Sequence, residues 1–131
     1  MKTLLRNLIF YTTFIYTFAP ALADHTNPNH PLDRLVMDTD RLEYQVWYSN
    51  LRYEVKSAVR NFAYDVDYFA RCMDMYPQNP LYPNHSVCRF EFDRVRYSFY
   101  SVDRYLYDTY YDYPQIYNSY RRVKDDLRYF Q

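Results

Sequence analysis

Not one of the 131 residues is glycine. Tight hairpins and left-handed turns draw on glycine, which enters positive φ without a steric cost. A β-sandwich or a doubly wound α/β fold of this composition would lack its turn residues, whereas a helix interior loses nothing by excluding glycine. The expected fold is therefore all-α, and the seven prolines become the punctuation between its helices.

The chain opens MKTLLRNLIFYTTFIYTFAPALA. Lys2 and Arg6 precede a largely apolar run, and Ala21-Leu22-Ala23 closes it, the three-part layout of a secretory signal peptide over 1–23. The run from Leu8 to Leu22 is shorter than the roughly 20 residues a bilayer span needs, so no stable membrane anchor is expected. Cleavage after Ala23 leaves 131 − 23 = 108 residues, one domain's worth. Two of the 16 basic residues leave with the signal, so 16 − 2 = 14 basic face 16 acidic groups, a net charge near −2. That balance lacks the surplus of cations a nucleic-acid partner requires, and none is expected. Cys72 and Cys88 both fall in the exported part, where a periplasmic or extracellular setting is oxidising and favours their pairing. A bridge across this separation contributes on the order of 3 kcal/mol in the chain-entropy account.

Residues 24–30, DHTNPNH, are polar and read as a flexible leader, with Pro31 at the first position of a helix. The remainder, 31–131, reads as a single helical domain. Tyr44, Trp47, Leu51, Val55, Ala58, Phe62, Val66, Phe69 and Met73 recur in steps of three and four and mark one helix face. Leu32, Leu35, Leu42, Val46 and Tyr53 fall on a different face, and the switch comes at Ser49-Asn50, both residues of cap type. Two architectures satisfy this pattern: a kinked antiparallel helical hairpin with one arm over 31–75, or a three- or four-helix bundle if that arm breaks near Ser49. The proline-bearing stretch YPQNPLYPNHS (76–86) is a loop, with Ser86 placed to cap the next helix. Further stripes run Cys88, Phe92, Val95, Phe99, Val102, Leu106, Tyr110, Tyr113, and then Ile116, Tyr120, Val123, Leu127, Phe130. The tyrosine-dense TYYDYPQIYNSY (109–120) is a joint at Pro114.

Chemistry-bearing patterns are sparse. A free amine at Asp24 followed by His25 and His30 offers a set of nitrogens of the kind Cu(II) or Ni(II) accepts, an N-terminal metal-binding alternative; no other cofactor is expected. Asn84-His85-Ser86 matches a glycosylation acceptor in a eukaryotic setting and reads otherwise as loop and cap. Asp65 and Asp67 point to different sides of a helix and read as solvated charges rather than a catalytic dyad. No nucleophile turn is present and no enzymatic activity is expected. The remaining signal is aromatic and cationic: Arg-Tyr neighbours recur, and Tyr48, Tyr64, Tyr68, Tyr100, Tyr107 and Tyr111 lie off the core stripes. Tyrosine and arginine dominate interface hot spots, so the expected role is binding of a protein partner or a second copy of the chain, with a cell-wall polysaccharide as a further alternative.

Overall fold

The computed structural model describes residues 25–76 and 87–131. The expected signal peptide, Asp24, and the loop residues 77–86 with Asn84, His85 and Ser86 lie outside the described residues. Among the described residues the chain forms four helices and no strand: α1 (Pro31–Trp47), α2 (Tyr53–Met75), α3 (Arg89–Leu106) and α4 (Pro114–Tyr129). The all-α expectation holds, and the two open architectures resolve to the four-helix bundle, because the long arm breaks where the apolar face switches.

Pairs of residues across each interface run in opposite chain directions. Between α2 and α3, Phe62 packs on Phe99 and Phe69 on Phe92. Between α1 and α4, Gln45 accepts a hydrogen bond from Ser119 while Arg34 reaches Asp126. Between α3 and α4, Asp103 accepts from Tyr120 while Phe92 meets Phe130. The bundle is therefore up-down-up-down, with α2 packed on α1 and α3, α1 on α4, and α3 touching α4 least. This order sends the turns 48–52 and 107–113 to one end and the leader from His25, the end of α2, the start of α3 and the α4 C-terminus to the other.

The core follows the stripes read from the sequence and adds Val36, Val59, Ala63 and Ala70, which those stripes do not include. Leu35, Leu42 and Val46 meet Phe62, Val66 and Phe69, then Val95, Val102 and Leu106, then Tyr120, Val123 and Leu127, all shielded from water. Each such side chain contributes about 1.5–3 kcal/mol relative to leaving it exposed, set against the entropy of ordering the chain. Tyr120 is a tyrosine in this core because its hydroxyl has a partner: it donates to Asp103 Oδ1 at 2.5 Å, an acceptor it shares with Lys124 Nζ at 2.8 Å. Three stripe assignments are corrected. Tyr44, Tyr53 and Tyr110 are exposed, the first because α1 buries the Leu35-Leu42-Val46 face alone, the others because α2 begins at Tyr53 and α3 stops at Leu106 before the stripe reaches position 110.

The helix ends show how a chain without glycine stops a helix. At each of the four C-terminal caps the backbone holds negative φ, so no left-handed cap is used. At the two turns of the tyrosine-bearing end a hydroxyl does the work instead: Ser49 Oγ donates to the Val46 carbonyl at 2.6 Å, and Thr109 Oγ1 to the Leu106 carbonyl at 2.7 Å. Each joins the backbone N–H of its own residue, which donates to the same last-turn carbonyl at 3.2 Å. Ser49 Oγ also accepts from Leu51 N–H at 3.2 Å, fixing the break between α1 and α2. Pro114 opens α4 at its first turn, as the joint reading expects. At the opposite end Cys72, in the last turns of α2, is disulfide-bonded to Cys88, which flanks the start of α3.

Candidate functional site

The six off-stripe tyrosines are all exposed, with Tyr111 at 89% and Tyr48 at 74%. They do not form one patch. Tyr64 and Tyr68 stand on the outward face of α2 and line a groove between α2 and α3 with a volume of about 850 Å³. Tyr48 sits at the α1–α2 turn and Tyr107 and Tyr111 at the α3–α4 turn, so these three share the end of the bundle opposite the disulfide. Tyr100 stands on α3 outside the groove lining.

The groove adds Tyr97 and Tyr105, which the periodicity does not single out, and Tyr53, which the periodicity places on a core stripe. On α2 its positions advance as Glu54, Ser57, Asn61, Tyr64 and Tyr68, spacings of three and four that describe a second stripe, rotated away from the core stripe and polar-aromatic rather than aliphatic. On α3 the opposing wall carries Arg94, Tyr97, Ser101 and Tyr105. From Tyr53 to Tyr68 the groove runs about 22 Å along α2. Asp65, read as a solvated charge, instead accepts an ion pair from Arg94 at 3.1 Å, and the guanidinium lies 5.7 Å from the ring centroid of Tyr68. An exposed pair of this kind adds at most about 1 kcal/mol to stability, and its effect here is to hold the arginine beside the ring.

The aromatic end is built from neighbouring rings. Tyr44 and Tyr48 have centroids 4.8 Å apart, and Tyr110 packs edge-on against both Tyr111 and Tyr117 at 5.1 and 5.2 Å. Arg60 lies 3.7 Å over the ring of Trp47 just below. Pairing of this kind holds the rings in place on a wet surface at low ordering cost.

At the opposite end the leader is tied down from His25 onward rather than free. His25 Nδ1 lies 2.7 Å from Asp33 Oδ1 on α1, and Nε2 lies 2.8 Å from Asp74 Oδ2 on α2. Both ring nitrogens face carboxylates, an arrangement that asks for two N–H donors and hence the imidazolium. The Asn27 N–H donates to Asp33 Oδ2 at 3.1 Å, and His30 Nδ1 stands 3.7 Å from Asp33 Oδ1. A metal at His25 would have to displace Asp33 and Asp74 from the ring, and no cluster of three or more His, Cys, Asp or Glu arranged to hold a metal occurs among the described residues. Burial of His25 lowers its pKa, but the hydrogen bonds and charges of Asp33 and Asp74 outweigh it and hold the group above its ordinary 6.5.

A second titrating contact lies between α1 and α4. Burial, then a hydrogen bond and charge repulsion from Asp38, push Asp126 up from 3.8 to about 7, while Arg34 pulls the other way from 3.7 Å. Two carboxyls share a hydrogen bond only when one is protonated. Both Asp126 and His25 have raised folded pKa values, so the stability each contributes is complete below its unfolded pKa. It is lost as pH rises through the folded value: about 7 for Asp126, and above 6.5 for His25. Urea midpoints should therefore fall from about pH 4 to pH 8, the Asp126 part between its unfolded value and about 7 and the His25 part above 6.5. Asp126→Asn, neutral throughout, should match the native chain near pH 4 and exceed it by roughly 1–2 kcal/mol near pH 8. Parallel pH profiles for the two proteins would show that Asp126 does not take up its proton on folding.

Fold and site together define a disulfide-stapled four-helix bundle that presents a tyrosine-lined groove and an aromatic end on its surface. No protein-family model, curated protein or solved structure matches the chain. The functional reading rests on the chemistry of its own residues. Among those described, no helix is long and apolar enough to cross a membrane.

Proposed function

We propose that this is an exported binding module, not an enzyme, that engages another macromolecule along the α2–α3 groove. The observation that carries this reading is the groove itself. Five tyrosines and Arg94 line it along two adjacent helices, and the fully buried core beneath contains none of the six. Tyrosine and arginine supply contact area, hydrogen bonds and planar stacking at modest ordering cost, which is why they concentrate in binding hot spots. Export is supported by the three-part N-terminus and by a disulfide of the kind that persists in oxidising compartments.

The test is hydroxyl-radical footprinting of the full chain, alone and in the exported fraction of its host. Oxidation of Tyr64, Tyr68 and Tyr97 should fall at least threefold in the fraction while that of Tyr76, at the disulfide end, stays constant. Uniform oxidation in both samples would show that nothing occupies the groove. An intact mass of residues 24–131 less two hydrogens in the same fraction is the expected form of the exported chain, and a mass that retains 1–23 would remove the export reading.

A further inference from the structure

Resting on the binding reading, we infer that the groove's ligand is an uncharged polysaccharide. Three observations converge. The only aliphatic side chain in the lining is Ala58, so an amphipathic helix, whose knobs are leucine-like, finds no aliphatic hole to fill. The rings are instead interleaved with hydrogen-bonding groups that the protein leaves open. Glu54, Ser57 and Asn61 succeed one another along α2 with Ser101 opposite, and none of these side chains has a hydrogen-bond partner among the described residues. A sugar polymer presents this pattern in mirror: each ring offers a C–H face for an aromatic plane and hydroxyls at its rim that both donate and accept. The third observation is charge. Arg94 is paired with Asp65, which leaves Glu54 as the unpaired formal charge in the lining. A sulfated or phosphorylated polymer would meet a slightly negative wall rather than the free cations it needs.

Size fits the same class. A volume of about 850 Å³ lies toward the upper part of the range typical of small-ligand sites, about 300–1,000 Å³, and here it is spread along two helices as an open trough. That shape suits a few consecutive units of a chain continuing past both ends, with Tyr53 and Tyr105 at one mouth and Tyr68 with Arg94 at the other.

The full exported chain is passed over chitin, cellulose and mannan, with titrations of chitohexaose, cellohexaose and mannohexaose, and heparin as the polyanion. Retention on at least one neutral polymer is expected, with saturable binding of its hexamer and none of heparin. Tyr64→Ala with Tyr68→Ala should weaken the hexamer at least tenfold, Asn61→Ala by about threefold, and Tyr111→Ala, at the aromatic end, should leave it unchanged. Circular dichroism of each variant checks that the bundle is intact. Tyr64→Phe, which keeps the ring and is the gentler change, should retain most of the affinity. Failure on all three neutral polymers, tighter binding of heparin, or binding that survives loss of both rings overturns the inference. If the groove is nonetheless protected in the host's exported fraction, the ligand class alone is wrong and the binding reading stands; if it is unprotected, both fall.

Discussion

Phe69→Ala is expected to remove about 3–5 kcal/mol of folding stability, the full cost of truncating a large aromatic side chain in a core that relaxes only in part. Phe69 has no exposed surface. Its ring lies 5.2 Å from Phe92 and meets Phe130 edge-on at 5.5 Å, while Phe92 and Phe130 are 5.9 Å apart. Three rings from α2, α3 and the residue closing α4 thus form one triangle at the disulfide end. Edge and tilted contacts of this kind add about 0.5–1.5 kcal/mol beyond the area they bury. Small domains are stable by about 5–15 kcal/mol in all, so the variant loses a large share of its total. Urea denaturation followed by circular dichroism reads the result as a lower midpoint with an unchanged slope. Phe69→Leu, which keeps most of the volume, should cost less than half as much. A loss below about 1 kcal/mol for the alanine variant would mean that this triangle does not hold the three helices together.

Loss of the Cys72–Cys88 bond is the second large effect. The bond closes a loop of 16 positions, and opening it restores to the unfolded chain a freedom equivalent to about 3 kcal/mol. For a domain of this size that corresponds to a fall in melting temperature of roughly 10–20 °C. Cys88 is fully buried, so serine in its place would add a polar group to the core. Cys72→Ala with Cys88→Ala isolates the covalent term better, and reduction of the native chain should reproduce most of the shift. An unchanged melting temperature in the double variant would show that the α2–α3 loop is already constrained when unfolded.

Helical spacing makes most of the bundle legible. The stripes from Val55 to Met73 and from Ile116 to Phe130 lie in the core nearly residue for residue, because burial on one face of a helix leaves a period of 3.6 that survives in the sequence. The break at Ser49 is legible as a change of face, but whether the helix stops there or runs on with two buried faces is decided by the packing of α1 on α2 and α4, which no local pattern carries. Period alone misplaces Tyr110 because it does not mark where a helix stops: α3 ends at Leu106, and the Thr109 hydroxyl that bonds back to the Leu106 carbonyl has the same sequence signature as a threonine inside a helix. The groove is half legible. Tyr64 and Tyr68 stand out for lying off the core stripe, but Tyr97 and Tyr105 become their neighbours only through antiparallel pairing of α2 with α3. The contact of His25 with Asp74 spans 49 positions, and Asp126 meets Asp38 from another helix. No local pattern announces contacts of that range.

The position of the disulfide sets how the molecule can move. The α2–α3 hairpin is tied at one end twice, by the continuous chain and by sulfur, while at its other end Tyr53 and Tyr105 are joined by nothing covalent. The two helices form a pair of tongs with its rivet at Cys72–Cys88. Amide hydrogens near the rivet should exchange most slowly, and those near the mouth fastest, since local opening there breaks side-chain contacts but no bond. Any partner engaging the groove would therefore meet two helices whose register is fixed covalently at the Cys72–Cys88 end and by packing alone at the Tyr53–Tyr105 end.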